Sequence, residues 1–191
     1  MKKIFQLQSM IFNKQWLFLK YPEVDTIPFL FFGGHQPAED GRITKSCFSQ
    51  FWVAPFKVDG VVYPTAEHWM MAGKAKLFGD EGALKSILNA NSPVAAKKEG
   101  RIVKNFVSAV WDKHKFDLVV AGNYHKFSQH GQMKEFLLAS GDKVLVEASP
   151  RDRIWGIGMR GDDPAAGNPA KWKGENLLGF ALMEVREKLK R

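Results

Sequence analysis

The sequence of 191 residues contains a single cysteine, Cys47, and this scarcity excludes several classes of protein. One cysteine cannot form an internal disulfide, and no Cys-x-x-Cys pair is present to bind zinc. The histidines also lack metal-ligand spacing, because His125 and His130 are too far apart in sequence to share one helical face. We therefore expect no bound metal, no cofactor and a cytoplasmic location.

Long apolar runs are equally scarce. The first residues, MKKIFQLQSMIFNKQWLFLKY, resemble a signal peptide, but polar side chains interrupt each apolar run before it reaches a useful length. We therefore predict neither an export signal nor a transmembrane helix. The sequence also contains no GxSxG turn and no GxxxxGK[ST] loop, so serine hydrolase and P-loop chemistry lack their defining motifs.

Basic residues are in excess, with 28 Lys and Arg against 20 Asp and Glu and a net charge of +8. This balance favours anionic partners such as phosphates, nucleotides or nucleic acid. A solvated basic surface without any partner explains the same excess, so the charge alone does not choose between these interpretations.

Helical patterns dominate the chain, with a few short strands between them. Aromatic and β-branched runs flank Asp59-Gly60 and predict a hairpin between residues 48 and 65. Thr65 is the predicted N-cap of a helix that ends near Gly79. Further helices are predicted over residues 81–89, 93–103, 107–121, 131–139 and 175–190, and a strand over residues 143–148.

The first 30 residues carry no steady period, and the glycines and proline that follow predict an exposed loop over residues 31–42. No internal repeat and no low-complexity segment is present. We therefore predict a mainly α protein with a few short β-strands. It would consist of an N-terminal arm (residues 1–30) and a compact single domain (residues 31–191).

The segment EASPRDRIWGIGM, residues 147–159, has little that could serve as core. GIGMRG has the spacing of a dinucleotide fingerprint, but Pro164 and Pro169 prevent the helix that must follow. The segment fits a loop that lines a pocket, in which Gly156 and Gly158 allow close backbone approach and Trp155 offers a stacking face. The alternative is a buried indole, with Asp152 paired to a neighbouring arginine at the surface.

The helix after Pro64 places Glu67, Met70, Met71 and Lys74 on one face. If this face is buried, desolvation raises the pKa of the carboxyl and lowers that of the amine, while their attraction opposes both shifts. Such competition is common where an acid, base or nucleophile acts. On an exposed helix the same pair only aids solubility.

Six segments, taken in order, resemble the NADAR family, also called YbiA-like, over about residues 31–190. They are FSQF at 48–51, VVYPTAEHWMMAGKAKLFGD at 61–80, KF at 126–127, LVEASPRDRIWGIG at 145–158, W-x-G-x-N-L-L-G at 172–179 and LMEVR at 182–186. Trp69, Met71 and Gly73 depart from the EHYFQAQK pattern typical of the family, which removes an amide at Met71. The resemblance implies the YbiA-like fold and an N-glycosidase, which hydrolyses a C–N glycosidic bond.

Two substrate classes are implied by the resemblance: ribosylamino pyrimidine phosphates of the riboflavin pathway, and ADP-ribosylated guanine in nucleic acid. Carried over by motif, the implied pocket residues are Glu67, Lys74, Glu147, Asp152, Trp155, Gly156, Trp172 and Asn176, with Gly158 and Arg151 as further binding candidates. The partner is then a ribosyl phosphate or ADP-ribose compound, and no membrane is involved.

Hydrolysis of an N-glycosidic bond develops positive charge on the sugar carbon and negative charge on the departing base. We assign these two charges to the carboxyls of Asp152 and Glu67, in either order. Lys74 binds a phosphate or, if neutral, attacks the sugar carbon to form an imine. A noncatalytic module that binds nucleotide or nucleic acid is the alternative function.

Overall fold

A computed structural model describes residues 12–191, and it is mainly helical with four short strands in that range. The elements in chain order are α1 (Lys14–Lys20), β1 (Phe29–Phe32), β2 (Val53–Val58), β3 (Val61–Thr65), α2 (Ala66–Leu77), α3 (Glu81–Leu88), α4 (Pro93–Arg101), α5 (Ser108–Ser128), α6 (Gly131–Leu138), β4 (Val144–Glu147) and α7 (Leu177–Leu189). The predicted fold class, mainly α with a few short strands, is confirmed.

The described chain divides into two compact units. One comprises Gln50–His130, and the other comprises residues 12–49 together with Gly131–Arg191. The predicted boundary between an arm and a domain at residue 30 stays a prediction, and the part of that arm before residue 12 lies outside the described residues.

The unit of residues 50–130 begins with the predicted hairpin. Strands β2 and β3 pair antiparallel, and Asp59 and Gly60 turn the chain with φ values of 48° and 84°. Thr65 then caps α2 by accepting a hydrogen bond from the backbone N of His68. Helix α2 packs against α3, α4 and α5, so most of its surface is enclosed.

The second unit is built on a parallel pair of strands. β1 runs beside β4, with Phe29 opposite Val144 and Phe32 opposite Glu147. Helix α7 packs on β4 and buries most of its length. A long connection without helices or strands, apart from a short 3-10 turn at Pro169–Lys171, leads from β4 to α7 and contains most of the residues of interest.

Two sequence predictions require correction. Phe31 and Phe32 belong to β1, not to an exposed loop, because they pair with β4 and Phe32 is buried. Helix α5 does not end at residue 121 but continues to Ser128. Gly122 lies within the helix because a side chain at this position would collide with the Trp69 indole.

No helix within residues 12–191 combines the length and the apolar character that crossing a membrane requires.

Candidate active site

The connection after β4 is held in shape by backbone hydrogen bonds to its own two ends. The N–H of Ile157 donates to the carbonyl of Glu147 at 2.9 Å, and the N–H of Asn176 donates to that of Gly156 at 3.2 Å. The N–H of Leu178, in the first turn of α7, donates to Trp155 at 3.0 Å. The segment singled out in the sequence is therefore an ordered loop fastened between the end of β4 and the start of α7.

Asp152 organises the first part of this loop. Its Oδ1 accepts hydrogen bonds from the backbone N–H of Ile154 at 2.9 Å and of Trp155 at 2.8 Å. This turn ties the carboxylate to the backbone that carries the half-buried Trp155. The structure thus fixes the Asp152 carboxylate to the backbone of Trp155, whereas Arg151 lies exposed at the surface.

Gly156 and Gly158 of the loop are needed by the protein's own packing. A Cβ on Gly156 would lie 2.9 Å from the carbonyl oxygen of Glu147, which a side chain cannot tolerate. Gly158 has φ +66° and faces Lys173 and Arg153. The chain itself makes the close approach that we expected of a ligand, and ligand contact at these glycines stays a prediction.

Glu147, the last residue of β4, carries an unusual carboxyl group. Its Oε2 is buried and has no hydrogen-bond partner among residues 12–191. Burial, and secondarily the nearby charge of Asp152, raises the pKa of Glu147 to about 8. Glu147 and Asp152 are therefore two acidic residues in unlike surroundings, and Glu147 is mostly neutral at pH 7.

Asn176 fastens the end of β4 to the start of α7. Its Oδ1 accepts from the N–H of Glu147 at 3.0 Å, and its Nδ2 donates to the carbonyl of Leu145 at 2.9 Å. The residue is fully buried and has the left-handed φ of 57°, which asparagine tolerates well. These contacts give Asn176 a positioning role, and direct contact with substrate stays a prediction.

Trp172 is also committed to internal contacts. Its indole Nε1 donates to the carbonyl of Ala166 at 2.7 Å, and its ring packs against Phe29 with 5.9 Å between centroids. Only 6% of the residue is exposed. Its predicted place beside the substrate stays a prediction, while Trp155 is the more accessible of the two indoles.

Helix α2, in the other unit, carries the remaining predicted residues. Glu67 lies in the first turn of the helix with 2% of its surface exposed, and its backbone N–H donates to Gln50 at 3.0 Å. Its carboxyl therefore belongs to the interior, which excludes the interpretation of a solvated Glu67–Lys74 pair.

Lys74 lies two turns further along α2, and its amine is enclosed by neutral groups. Nζ donates to the carbonyl of Gly100 at 2.8 Å and lies 4.2 Å from the centroid of the Phe106 ring. Burial lowers the pKa of Lys74. The sequence did not indicate Gly100 or Phe106, because both come from later segments and neither carries a motif.

The predicted residues thus form two groups, one on α2 and one in the loop between β4 and α7. Each group is ordered within its own unit. Their joint action on one substrate stays a prediction. The opposite face of α2 lines a cavity of about 390 Å³, and its walls include Tyr63, Trp69, Gly73, Lys76 and His114.

Comparison with known proteins adds the family to this geometry. Residues 31–190 match the NADAR domain. The chain is 42% identical over 169 residues to N-glycosidase R617 of Acanthamoeba polyphaga mimivirus, which covers 86% of this chain and 98% of that protein. It is 36% identical over 142 residues to N-glycosidase YbiA of Escherichia coli (strain K12), which covers 74% of this chain and 80% of that protein.

A solved structure supports the same assignment. The NMR structure of E. coli YbiA superposes with a TM-score of 0.66 at 30% identity, covering 88% of this chain and 92% of that chain. The fold and the relatives define a helical protein of an N-glycosidase group, as the sequence predicted. The chain belongs to the NADAR family.

Proposed function

We propose that this protein hydrolyses the C–N glycosidic bond of a ribosylated substrate in the cytoplasm. The substrate is either a ribosylamino pyrimidine phosphate of riboflavin synthesis or ADP-ribosylated guanine in nucleic acid. Relatives named N-glycosidase, at up to 42% identity over most of the chain, support the reaction class. The net charge of +8 supports a phosphorylated substrate.

The observation that carries the proposal is the arrangement of Asp152 and Trp155. Two backbone N–H groups fix the carboxylate on the turn that presents the indole. A fixed carboxylate stabilises the positive charge that develops on the anomeric carbon, and an aromatic face stacks on a base or a sugar. Because the carboxylate is already positioned, no free energy is needed to reorient it during the reaction.

The buried residues of α2 supply the remaining chemistry. We assign to Glu67 and Asp152 the two acidic duties of stabilising the cation and handling protons. Lys74 has a lowered pKa and lies among neutral groups, which suits an amine that attacks the sugar carbon as well as one that binds phosphate. Arg151 is exposed and available to a phosphate group.

The remaining predicted binding residues act by shaping the loop. Gly156 and Gly158 permit its tight path, and Asn176 and Trp172 anchor it through buried hydrogen bonds. A substitution at any of these four positions is expected to alter activity through the placement of Asp152 and Trp155. Glu147 belongs with the acidic residues of the loop.

The test is a substrate panel analysed by mass spectrometry without added metal or cofactor. Ribosylamino pyrimidine phosphates, ADP-ribosylated guanine in DNA and free ADP-ribose conjugates are incubated with the protein, and released base and sugar are measured. Product from either proposed class, lost in Asp152→Asn, supports the proposal. Salt-sensitive binding with no product from any substrate contradicts it and favours a noncatalytic binding module.

A further inference from the structure

We propose that Glu147, at the end of β4, is the proton donor to the departing base, with the carboxyl of Asp152 nearby in the loop that follows. This inference rests on the proposed N-glycosidase function and moves one step of it, the proton donation first assigned to Asp152 or Glu67, to Glu147. The resemblance to the family implies only that Glu147 lies in the pocket. The role of acid follows from the surroundings of its carboxyl group.

Glu147 has a fixed position in the fold. Glu147 lies at the end of β4, in register with Phe32 of β1. Its N–H is bound by Asn176 Oδ1 at 3.0 Å, and its carbonyl accepts from Ile157 at 2.9 Å. The backbone that carries this carboxyl is therefore fixed on both sides, which a proton donor needs in order to meet a leaving group reproducibly.

The surroundings of the Glu147 carboxyl favour its protonated form. A buried carboxylate oxygen without a donor is costly, and the neutral acid avoids most of that cost. Oε2 of Glu147 has no hydrogen-bond partner among residues 12–191, and burial together with the charge of Asp152 raises the pKa of Glu147 to about 8. Glu147 therefore retains its proton at neutral pH.

Among the groups around Glu147, Asp152 is the charged group that raises its pKa, in addition to burial. Phe32 on β1 and Asn176 at the start of α7 do not titrate. Glu184, the first charged residue of α7, lies about 10 Å further along the helix axis. Within the loop, Lys173 and Arg153 lie against Gly158. Two acids held in unlike environments are a common arrangement for paired acid–base duties.

In the proposed step, proton donation by Glu147 accompanies the breaking of the C–N bond. The C–N bond breaks, and its electron pair goes to the nitrogen of the base, which takes the proton of the Glu147 carboxyl. The carboxylate of Asp152 stabilises the cation that develops at the anomeric carbon. Water then adds to that carbon, either directly or by hydrolysing an imine that the carbon has formed with a lysine, and the released proton returns to the carboxylate of Glu147. The products are free base and free sugar, and the enzyme regains its starting state.

The test is the pH dependence of kcat on whichever substrate the wild type cleaves. Because the acid must be protonated, activity of the wild type is expected to fall above about pH 8. Glu147→Gln keeps the shape of the side chain and removes the proton, so we expect a loss of about 10²-fold and no such fall. Asp152→Asn removes the neighbouring charge and should shift the fall to lower pH in its residual activity. Glu135→Gln, at an exposed position of α6, is the matched control.

A second readout separates proton donation from a structural effect. A substrate whose leaving base has a low pKa needs less help from an acid, so Glu147→Gln should lose less activity on it. Equal losses on good and poor leaving groups, or an unchanged fall above pH 8 in Glu147→Gln, would overturn the inference. No product from the wild type would instead contradict the proposed function. In that case, or if the variant does not fold, NMR titration of the Glu147 carboxyl in the wild type decides the inference, and an ordinary pKa refutes it.

Discussion

The side-chain amide of Asn176 bonds to β4 on both sides of Val146. Its Nδ2 donates to the carbonyl of Leu145, and its Oδ1 accepts from the N–H of Glu147. One buried side chain thus joins the end of the strand to the start of α7, where the loop with Asp152 begins and ends. The two ends of this loop are therefore joined by that amide as well as by backbone hydrogen bonds.

We predict that Asn176→Ala destabilises the protein by about 2 to 4 kcal/mol, because it leaves the N–H of Glu147 and the carbonyl of Leu145 buried without partners. Alanine also tolerates the φ of 57° less well than asparagine. Urea unfolding followed by circular dichroism measures the loss. Asn176→Gly is the control for backbone strain, since glycine accepts this φ but makes neither bond. A stability of Asn176→Ala equal to that of the wild type would show that the amide bonds contribute nothing.

The sequence predicted those parts of this arrangement that depend on residues close together in the chain, but not those that depend on residues far apart. The Asp59-Gly60 turn and the Thr65 cap depend on neighbouring residues, so local patterns predicted both correctly. The pairing of β1 with β4 joins segments far apart in the chain, and FLFF has no alternation that would indicate a strand. The two bonds of Asn176 likewise depend on tertiary packing, which no motif encodes.

The same limit applies to the acidic residues. The resemblance implied that Glu67, Glu147 and Asp152 are pocket residues, but it gave no information on the groups that surround their carboxyls. Whether a carboxyl is buried without a donor, as at Oε2 of Glu147, depends on atoms from several segments. Chemical roles that rest on pKa therefore required the structure.

We predict that Asp152→Asn and Asp152→Ala separate the two roles of this carboxylate. The amide oxygen of asparagine can still accept from Ile154 and Trp155, so Asp152→Asn keeps the turn and loses only the charge. Both variants should lower turnover by about 10²-fold or more, and only Asp152→Ala should also change Trp155 fluorescence. Asp163→Asn is the control, because Asp163 makes a similar turn with Ala165. Near-normal turnover in a folded Asp152→Asn protein would contradict the catalytic role.

We predict that Lys74, and not Lys76, determines covalent chemistry on α2. The half-buried Lys74 donates to Gly100, lies against the Phe106 ring and has a lowered pKa, whereas Lys76 is exposed and reaches Tyr63 at 3.3 Å. Borohydride added during turnover should trap a substrate adduct in the wild type and in Lys76→Ala, but not in Lys74→Ala. Intact-mass spectrometry detects it. If turnover is lost in Lys74→Ala while the wild type gives no adduct, Lys74 binds phosphate instead.

We predict that Glu147 makes the protein less stable at alkaline pH. With a folded-state pKa of about 8 against an ordinary value of 4.5, the native state binds more protons than the unfolded state between these two pH values. Stability from this group is therefore present below about pH 4.5, falls as the pH rises, and stays low above pH 8. Glu147→Gln does not titrate, so it should gain roughly 2 to 4 kcal/mol over the wild type between pH 5 and pH 9.

Urea unfolding at a series of pH values measures this difference, with Glu135→Gln as the matched control on an exposed position of α6. The control should follow the wild-type curve throughout, because it removes a carboxyl at an exposed position and leaves Glu147 unchanged. If the stability of Glu147→Gln relative to the wild type does not change with pH, the carboxyl has no raised pKa. Asp152→Asn should give an intermediate result, since it removes the smaller of the two causes and leaves burial in place. The size of that shift measures directly how strongly the two acids of the loop interact.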